Sequence, residues 1–180
     1  PDIRLIAIRG AGRAFCTGID LKELAAGRID MRYFRIWEDA LRCFETMDKL
    51  VLCMIHGHAV GGGLQLAMAC DIIIMADHAQ VGLPEPRVGL IAGAGGVHKL
   101  PRHIPIKIAM GMMLTATRID AAESYRLGIA NEVVPQAERV ADFVSNQFRQ
   151  QRPDELFRHA VQHGNFLHGL LRSFLFLVAL

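Results

Sequence analysis

The chain has 180 residues, of which 52% are hydrophobic and 21% are charged, and its formal net charge is +2. This composition supplies the apolar side chains of a folded core and excludes a disordered chain, and the length favours one domain. So small a charge gives no support for a nucleic-acid-binding surface, which normally shows as a cluster of basic residues on one face.

The first half of the chain alternates apolar runs with amphipathic segments. Residues 3–10 are rich in Ile and Leu, and apolar residues recur every three or four positions from Met31 to Met47. In chain order these patterns predict a strand over 3–10, a helix over 31–47, a strand over 51–57, a helix over 62–70 and a strand over 71–76. Strands that alternate with helices imply crossover connections and a largely parallel sheet, so the predicted fold class is α/β.

Helix-boundary signals are clear in the segment 119–128. Asp120 at an N-cap position and Glu123 three residues later have the spacing of a capping box. Gly128 is placed to end that helix in the left-handed conformation. A short strand or extended segment is predicted to follow over 129–135.

The pattern of residues 136–180 predicts a helical tail, in which Pro153 starts a helix. The apolar end of the tail, residues 170–180, is too short to span a membrane and is interrupted by Arg172. We predict a docked or interface helix there, with a membrane-surface anchor as the alternative.

The four cysteines, Cys16, Cys43, Cys53 and Cys70, have no CxxC spacing. Three of them lie within apolar runs, which favours buried free thiols in a reducing compartment over a disulfide framework. No signal peptide is visible at the start of the chain. We therefore expect a cytoplasmic protein, with the mitochondrial matrix as the alternative.

Three consecutive glycines, Gly61, Gly62 and Gly63, lie between a predicted strand and a predicted helix. Such a turn exposes backbone N–H groups at the positive end of a helix, where they can hold a phosphate or a developing oxyanion. The phosphate motif GxxxxGK[ST] is excluded because no Lys-Ser or Lys-Thr follows, and the spacing does not fit the dinucleotide motif GxGxxG. Close packing that tolerates no β-carbon is the structural alternative.

Two further segments suggest what the glycines do. The loop "FCTGID" also follows a predicted buried strand and could offer a second N–H group, and Glu85 lies between Pro84 and Pro86, which restrict its backbone. Two converging N–H groups and one positioned carboxylate suit chemistry at a carbonyl, because the N–H pair stabilises an enolate and the acid moves protons.

Four segments in this order resemble the enoyl-CoA hydratase/isomerase (crotonase) family: "RAFCTGIDLKEL", "GHAVGGGLQLAMACDI", "VGLPEPRVGLIAGAGGVHKLPR" and "IDAAESYRLGIANEVVP". The resemblance runs from about residue 3 to residue 135. It implies an α/β spiral of ββα units with a helical C-terminal region, and an acyl-CoA thioester as substrate. No separate cofactor is implied, since CoA is part of the substrate.

The resemblance also assigns roles by motif position. The backbone N–H groups of Ile19 and Gly62 would form an oxyanion hole for the thioester oxygen, and Glu85 would be the general acid/base. Gly93 would help to hold a nucleophilic water through its N–H group. Gln65 takes the position of the first of the two glutamates that hydratases of this family use.

Glutamine at position 65 places two-carboxylate hydration in question, because an amide can orient a water molecule but cannot accept its proton. Isomerases of the family that move a double bond with one carboxylate fit the pattern better. Hydration, isomerisation and a non-catalytic role in CoA binding or assembly are therefore the alternatives.

Four other residues have weaker assignments. Lys22 is placed to meet CoA phosphates, although a solvated lysine is the commoner outcome, and Asp20 is predicted to cap a helix beginning at the next residue. His56 and His58 have a spacing that could suit a metal, but no third ligand is evident. We predict that they are structural and that there is no metal site.

The resemblance does not extend over the whole chain. Family chains carry another strand and helix before the segment that starts here, so we expect a core over 1–135 that lacks the usual N-terminal turn through truncation or reduction. The tail 136–180 differs from the family and is either divergent or the product of an altered reading frame. A homotrimer, or a pair of trimers, is the assembly that the resemblance implies.

Overall fold

The computed structural model of the chain describes residues 5–135 and, for the backbone alone, residues 175–179. Its helices are α1 (Leu21–Ala25), α2 (Met31–Thr46), α3 (Gly62–Ala67), α4 (Gly96–His103), α5 (Ile106–Thr115) and α6 (Ala121–Leu127), with a 3-10 helix at Glu85–Val88. Its strands are β1 (Leu5–Gly10), β2 (Leu50–Ile55), β3 (His58–Val60), β4 (Ile72–Ala76), β5 (Gln80–Gly82), β6 (Arg118–Asp120), β7 (Glu132–Val134) and β8 (Leu175–Ala179). These elements confirm the predicted α/β fold class.

The larger sheet of the described residues has five strands in the order β7-β4-β2-β1-β8. Strands β1, β2, β4 and β7 pair in parallel, with Ala7 opposite Leu52 and Cys53 opposite Ile73. Parallel strands covered on both faces need continuous apolar sequence, and β2 is buried over residues 51–55. The predicted parallel sheet is therefore confirmed.

Strand β8 lies at the edge of this sheet, antiparallel to β1, with Val178 opposite Ala7. The sequence predicts a helix here, and for residues 175–179 that prediction is wrong. A short apolar run has no period that separates a helix from a strand, and the free backbone groups of an edge strand offer it hydrogen-bond partners. The rest of the predicted tail, including the helix start at Pro153, lies outside the described residues.

A second sheet has three short strands in the order β3-β5-β6, which no sequence pattern predicts. Val81 of β5 lies opposite Ala59 of β3 on one side and Ile119 of β6 on the other. Each strand has three residues, too few for the alternation that marks a strand in sequence. This sheet positions the site because β3 leads into the glycine triplet and β5 leads towards the 3-10 helix.

The predicted helix boundaries are confirmed where the capping signals were clearest. The Asp120 carboxylate accepts a hydrogen bond from the Glu123 amide at 2.8 Å, and Gly128 ends α6 with a φ of 91°. At α2, Asp30 has the same role and accepts from the amides of Arg32 and Tyr33. A side-chain oxygen at an N-cap satisfies backbone N–H groups that have no partner within the helix.

All four cysteines are free, in line with the prediction from their spacing. Cys53 is fully buried in β2, whereas Cys16 and Cys70 are partly buried and Cys43 is exposed, so the predicted burial holds for part of the set. Across residues 5–135, none of the helices has the length and apolar character needed to cross a bilayer.

Candidate active site

The first glycine of the triplet has a backbone conformation that strongly favours glycine. Gly61 has a φ of 56° and a ψ of −123°, a region that L-residues with a β-carbon rarely adopt. Its amide donates to the Gly82 carbonyl at 2.9 Å, which ties the triplet to β5. A β-carbon on Gly61 would lie 3.4 Å from Glu85 Oε1, so the carboxylate of Glu85 covers this glycine.

The second glycine meets the loop that carries Ile19. Gly18 has a φ of 85°, and a β-carbon on it would lie 2.9 Å from the Gly62 amide nitrogen. A β-carbon on Gly62 would in turn lie 3.2 Å from the Gly18 α-carbon. The peptide between Gly18 and Ile19 thus begins beside the first amide of α3, which brings the two predicted oxyanion residues into one neighbourhood.

Backbone pairing holds this loop against β3. The Cys16 amide donates to the His58 carbonyl at 3.1 Å, and the Val60 amide donates to the Cys16 carbonyl at 3.1 Å. A β-carbon on Gly63 would overlap the Cys16 carbonyl oxygen. The structural explanation of the triplet is therefore correct for Gly63, while the two glycines before it border the site itself.

Gln65 connects two other parts of the site by hydrogen bonds. Its Oε1 accepts from the Trp37 indole Nε1 at 3.2 Å, and its Nε2 donates to Glu85 Oε1 at 3.0 Å. The residue is 5% exposed and lies on α3, two positions after the glycine triplet. Gln65 is thus a buried link between α2 and the 3-10 helix.

Because an indole N–H can only donate, the atom of Gln65 that faces Trp37 must be the carbonyl oxygen. The amide nitrogen must then face Glu85. An N–H group that points at a carboxylate oxygen is the favourable arrangement for ionised Glu85, since a charged acceptor strengthens the hydrogen bond. The network therefore assigns the orientation of the amide without ambiguity.

Glu85 begins the 3-10 helix between Pro84 and Pro86, and it is partly buried. Its Oε1 accepts a hydrogen bond from Gln65, whereas its Oε2 is a buried atom with no hydrogen-bond partner among the described residues. Burial raises the pKa of the Glu85 carboxyl above its ordinary value, and a hydrogen bond from its own backbone acts in the opposite direction. A carboxyl group of this kind holds a proton more readily than one in water, which suits a general acid/base.

The predicted water-holding glycine lies on the loop before α4. The Gly93 amide donates to the Ile91 carbonyl at 2.8 Å, so in this geometry the N–H group already has a protein partner. The nearby Gly96 borders the site instead, since a β-carbon on it would lie 3.3 Å from Gln65 Nε2. A water-holding role for Gly93 would need its amide to share or release the bond to Ile91.

The structure shows where Asp20 and Lys22 lie, the two residues of the loop and α1 with weaker assignments. Asp20 caps α1 as predicted, and its carboxylate accepts from the Lys22 and Glu23 amides at 2.8 and 3.2 Å. The Lys22 side chain is exposed, and its contact with CoA phosphates stays a prediction.

His56 and His58 lie in different environments. His56 Nε2 lies 2.8 Å from the Gly12 carbonyl oxygen. The buried Nδ1 of His58 has no partner in the described part of the chain. Over residues 5–135 there is no group of three or more His, Cys, Asp or Glu side chains that could hold a metal ion.

Trp37 is the site residue that the sequence analysis does not identify. It lies on the apolar stripe of α2, where the sequence predicts a residue packed on the core, and its ring does pack against that core. Its contact with Gln65 depends on how the fold brings α2 and α3 together, so no spacing in the sequence could have revealed it. A single tryptophan on an otherwise ordinary apolar face was the one available signal.

The fold and the site define an α/β protein of crotonase architecture, and solved structures agree. The crystal structure of an enoyl-CoA hydratase from Bacillus anthracis superposes with a TM-score of 0.73 at 33% identity, over 81% of this chain and 58% of that one. Subunit I of a Geobacillus kaustophilus enzyme of the same name gives a TM-score of 0.72 at 33% identity, over 82% of this chain and 57% of that one.

The family model of enoyl-CoA hydratase/isomerase matches residues 1–161, and the chain belongs to this family. The carnitinyl-CoA dehydratase of Proteus mirabilis is 40% identical over 154 residues, covering 81% of this chain and 59% of the relative. The (E)-benzylidenesuccinyl-CoA hydratase of Thauera aromatica is 36% identical over 192 aligned positions, covering 96% of this chain and 75% of the relative. The chain thus spans less than two thirds of the length of the dehydratase.

Proposed function

We propose that this chain acts on enoyl-CoA thioesters by moving protons at the carbon next to the thioester carbonyl. In this proposal the backbone N–H groups of Ile19 and Gly62 stabilise the enolate oxygen, and Glu85 is the general acid/base. The observation that carries the proposal is the buried Oε2 of Glu85, which has no partner among the described residues while Gln65 holds Oε1.

The backbone amides would supply the electrostatic part of catalysis. The close approach of Gly18 to the Gly62 amide supports their convergence. The Gly62 amide is also the first of α3, at the end of a helix where N–H groups have no intrahelical acceptor. Losing one donor of an oxyanion hole typically costs roughly 3 kcal/mol of transition-state stabilisation.

A single carboxylate favours isomerisation of a double bond. Glu85 would remove a proton from the α-carbon of a 3-enoyl thioester, which leaves a dienolate whose oxygen carries the charge. The same carboxyl group would return the proton to the γ-carbon, and the double bond would move into conjugation with the carbonyl. Gln65 takes no proton in this sequence, as the chemistry of an amide requires.

Hydration or its reverse is the second candidate, and the names of the relatives favour it. The aligned proteins of Proteus mirabilis and Thauera aromatica are a dehydratase and a hydratase. The Gln65 amide has a second N–H besides the one directed at Glu85, and that group could orient a water molecule. Without a second carboxylate, Glu85 would have to take the proton that water loses on attacking the β-carbon and also deliver a proton to the α-carbon.

An assay with crotonyl-CoA and 3-hexenoyl-CoA in deuterated water separates the alternatives. Isomerisation gives 2-hexenoyl-CoA, in which deuterium at the γ-carbon measures how far the proton on Glu85 exchanges with solvent before it is returned, and hydration gives the 3-hydroxyacyl product from crotonyl-CoA. Glu85→Gln is the matched control and should give neither product. Stoichiometric binding of both thioesters with neither product formed and no deuterium incorporated would overturn the proposal and support a non-catalytic CoA-binding role.

A further inference from the structure

We propose that Trp37 is a positioning residue of this site, whose indole N–H holds the Gln65 amide so that Glu85 Oε1 is fixed and Oε2 is the oxygen that meets the substrate. The inference rests on the proposed function, because it assigns which atom of Glu85 moves the proton. It adds a residue on α2 to a site otherwise built from the Ile19 loop, α3 and the 3-10 helix.

The geometry is a chain of two directed hydrogen bonds. Trp37 Nε1 donates to Gln65 Oε1 at 3.2 Å, and Gln65 Nε2 donates to Glu85 Oε1 at 3.0 Å. Each group in these two hydrogen bonds has one possible role, because the indole N–H cannot accept and the ionised carboxylate cannot donate. Both hydrogen bonds are therefore donated in the same direction, from the indole towards the carboxylate.

Removing the indole N–H would leave the orientation of the Gln65 amide unfixed. With no donor at position 37, the Gln65 amide could rotate by half a turn and present its own oxygen to Glu85. That orientation repels an ionised carboxylate and accepts a hydrogen bond from a protonated one. Trp37 thus favours the ionised form of Glu85, against the effect of burial, which raises the pKa of the same group.

The indole ring contacts the site at a second point. A β-carbon on Gly62 would lie 3.5 Å from Trp37 Cζ2 and 3.6 Å from Trp37 Nε1. The ring thus borders the first turn of α3, which carries both the Gly62 amide and Gln65. One rigid side chain therefore sets the position of the glutamine relative to the proposed oxyanion site.

Other titratable groups lie on the elements that border the site. Arg87 on the same 3-10 helix and Lys107 on α5, which packs against that helix, are both exposed. Tyr33 lies one turn before Trp37 on α2, and Cys16 lies on the loop against α3; burial raises the pKa of both side chains. Because Tyr and Cys ordinarily lose their protons well above neutral pH, neither changes charge where a glutamate titrates.

The direct test uses the tryptophan itself, since the chain contains a single Trp and isotope-labelled tryptophan gives one indole N–H resonance. We expect this resonance to shift as the pH rises through the raised pKa of Glu85. The shift should vanish in Glu85→Gln and in Gln65→Leu, and persist in Asp39→Asn, which removes an exposed carboxylate from the same helix. An unchanged titration in Glu85→Gln would overturn the inference, whatever the outcome of the turnover assay.

A kinetic test separates positioning from packing. Trp37→Phe keeps an aromatic ring and removes the donor, and we expect kcat at neutral pH to fall roughly 10-fold, the size of one lost hydrogen bond to a charged network. The pKa of Glu85 in the pH profile should rise, with little change in KM. Phe44→Leu, the control at a buried position of the same helix, should lower thermal stability and leave the pH profile unchanged. If Trp37→Phe behaves like Phe44→Leu, Trp37 has only a structural role.

Discussion

The Gln65 side-chain amide donates a hydrogen bond of 3.0 Å to Glu85 Oε1, while Glu85 Oε2 has no partner in the described part of the chain. This contact makes the two oxygens of one carboxyl group unequal. A glutamate at position 65 would place a second negative charge at the same distance and repel Glu85. The amide instead attracts the carboxylate, so the electrostatics of the site differ from those of a two-carboxylate hydratase.

Glu85→Gln should lower turnover of an enoyl-CoA substrate by at least about 100-fold, the range that a positioned general acid/base typically contributes. The substitution keeps the shape of the side chain and its contact with Gln65, but it cannot carry a proton. Steady-state assays with crotonyl-CoA and 3-hexenoyl-CoA measure the effect. A variant with unchanged kcat would remove Glu85 from the mechanism.

The same substitution should increase the free energy of unfolding at neutral and alkaline pH. Burial raises the folded-state pKa of Glu85 above the ordinary value of 4.5, so the folded protein loses stability as pH rises through that raised value. Gln at this position has no charge to bury. Urea unfolding at about pH 8 should favour the variant, and the difference should disappear below about pH 4. Equal stability at both pH values would contradict this prediction.

Gln65→Glu should increase hydration of crotonyl-CoA, because it restores a second carboxylate that can accept a proton from water. Two carboxyl groups at about 3 Å cannot both ionise freely, so one of the pair should titrate at a higher pH than an isolated glutamate. The pH profile of hydration should then have two limbs. No gain in hydration would locate the defect elsewhere, for example at the Gly93 amide, which already donates to Ile91.

Gly18→Ala should damage the site much more than Gly12→Ala, although both glycines lie in the same loop. Gly18 has a φ of 85°, and an added β-carbon would press on the Gly62 amide nitrogen, whereas a β-carbon on Gly12 would meet open space. We expect Gly18→Ala to cost about 1–3 kcal/mol of stability from backbone strain. It should also lower kcat by displacing the Gly62 amide, which we propose to be part of the oxyanion hole. Similar kinetics for the two variants would contradict the proposed oxyanion position.

Asp120→Ala should lower the free energy of unfolding by about 1 kcal/mol, because it removes the side-chain acceptor that caps α6. The Glu123 amide would lose the hydrogen bond of 2.8 Å that it now donates to Asp120. The measurement is urea unfolding, with Ala122→Ser at an exposed position of the same helix as the control. A loss no larger than that of the control would mean that solvent replaces the cap.

The amino-acid sequence by itself determined the local features of this protein. Apolar runs predict the parallel strands, because a strand covered on both faces needs continuous apolar sequence. Asp20 and Asp120 predict helix starts, because a capping side chain reaches backbone N–H groups only two or three residues away. The motifs around Gly62 and Glu85 also predicted the family, since each motif is a short contiguous segment.

The tertiary structure alone decided which residues of different helices and strands are in contact. Trp37, Gln65 and Glu85 come from three separate elements, and the two hydrogen bonds that link them depend on how the fold brings α2, α3 and the 3-10 helix together. The pairing of β8 with β1 is of the same kind, because an apolar run becomes a strand or a helix according to the partner it finds. Such contacts join residues far apart in the chain, and no local spacing encodes them.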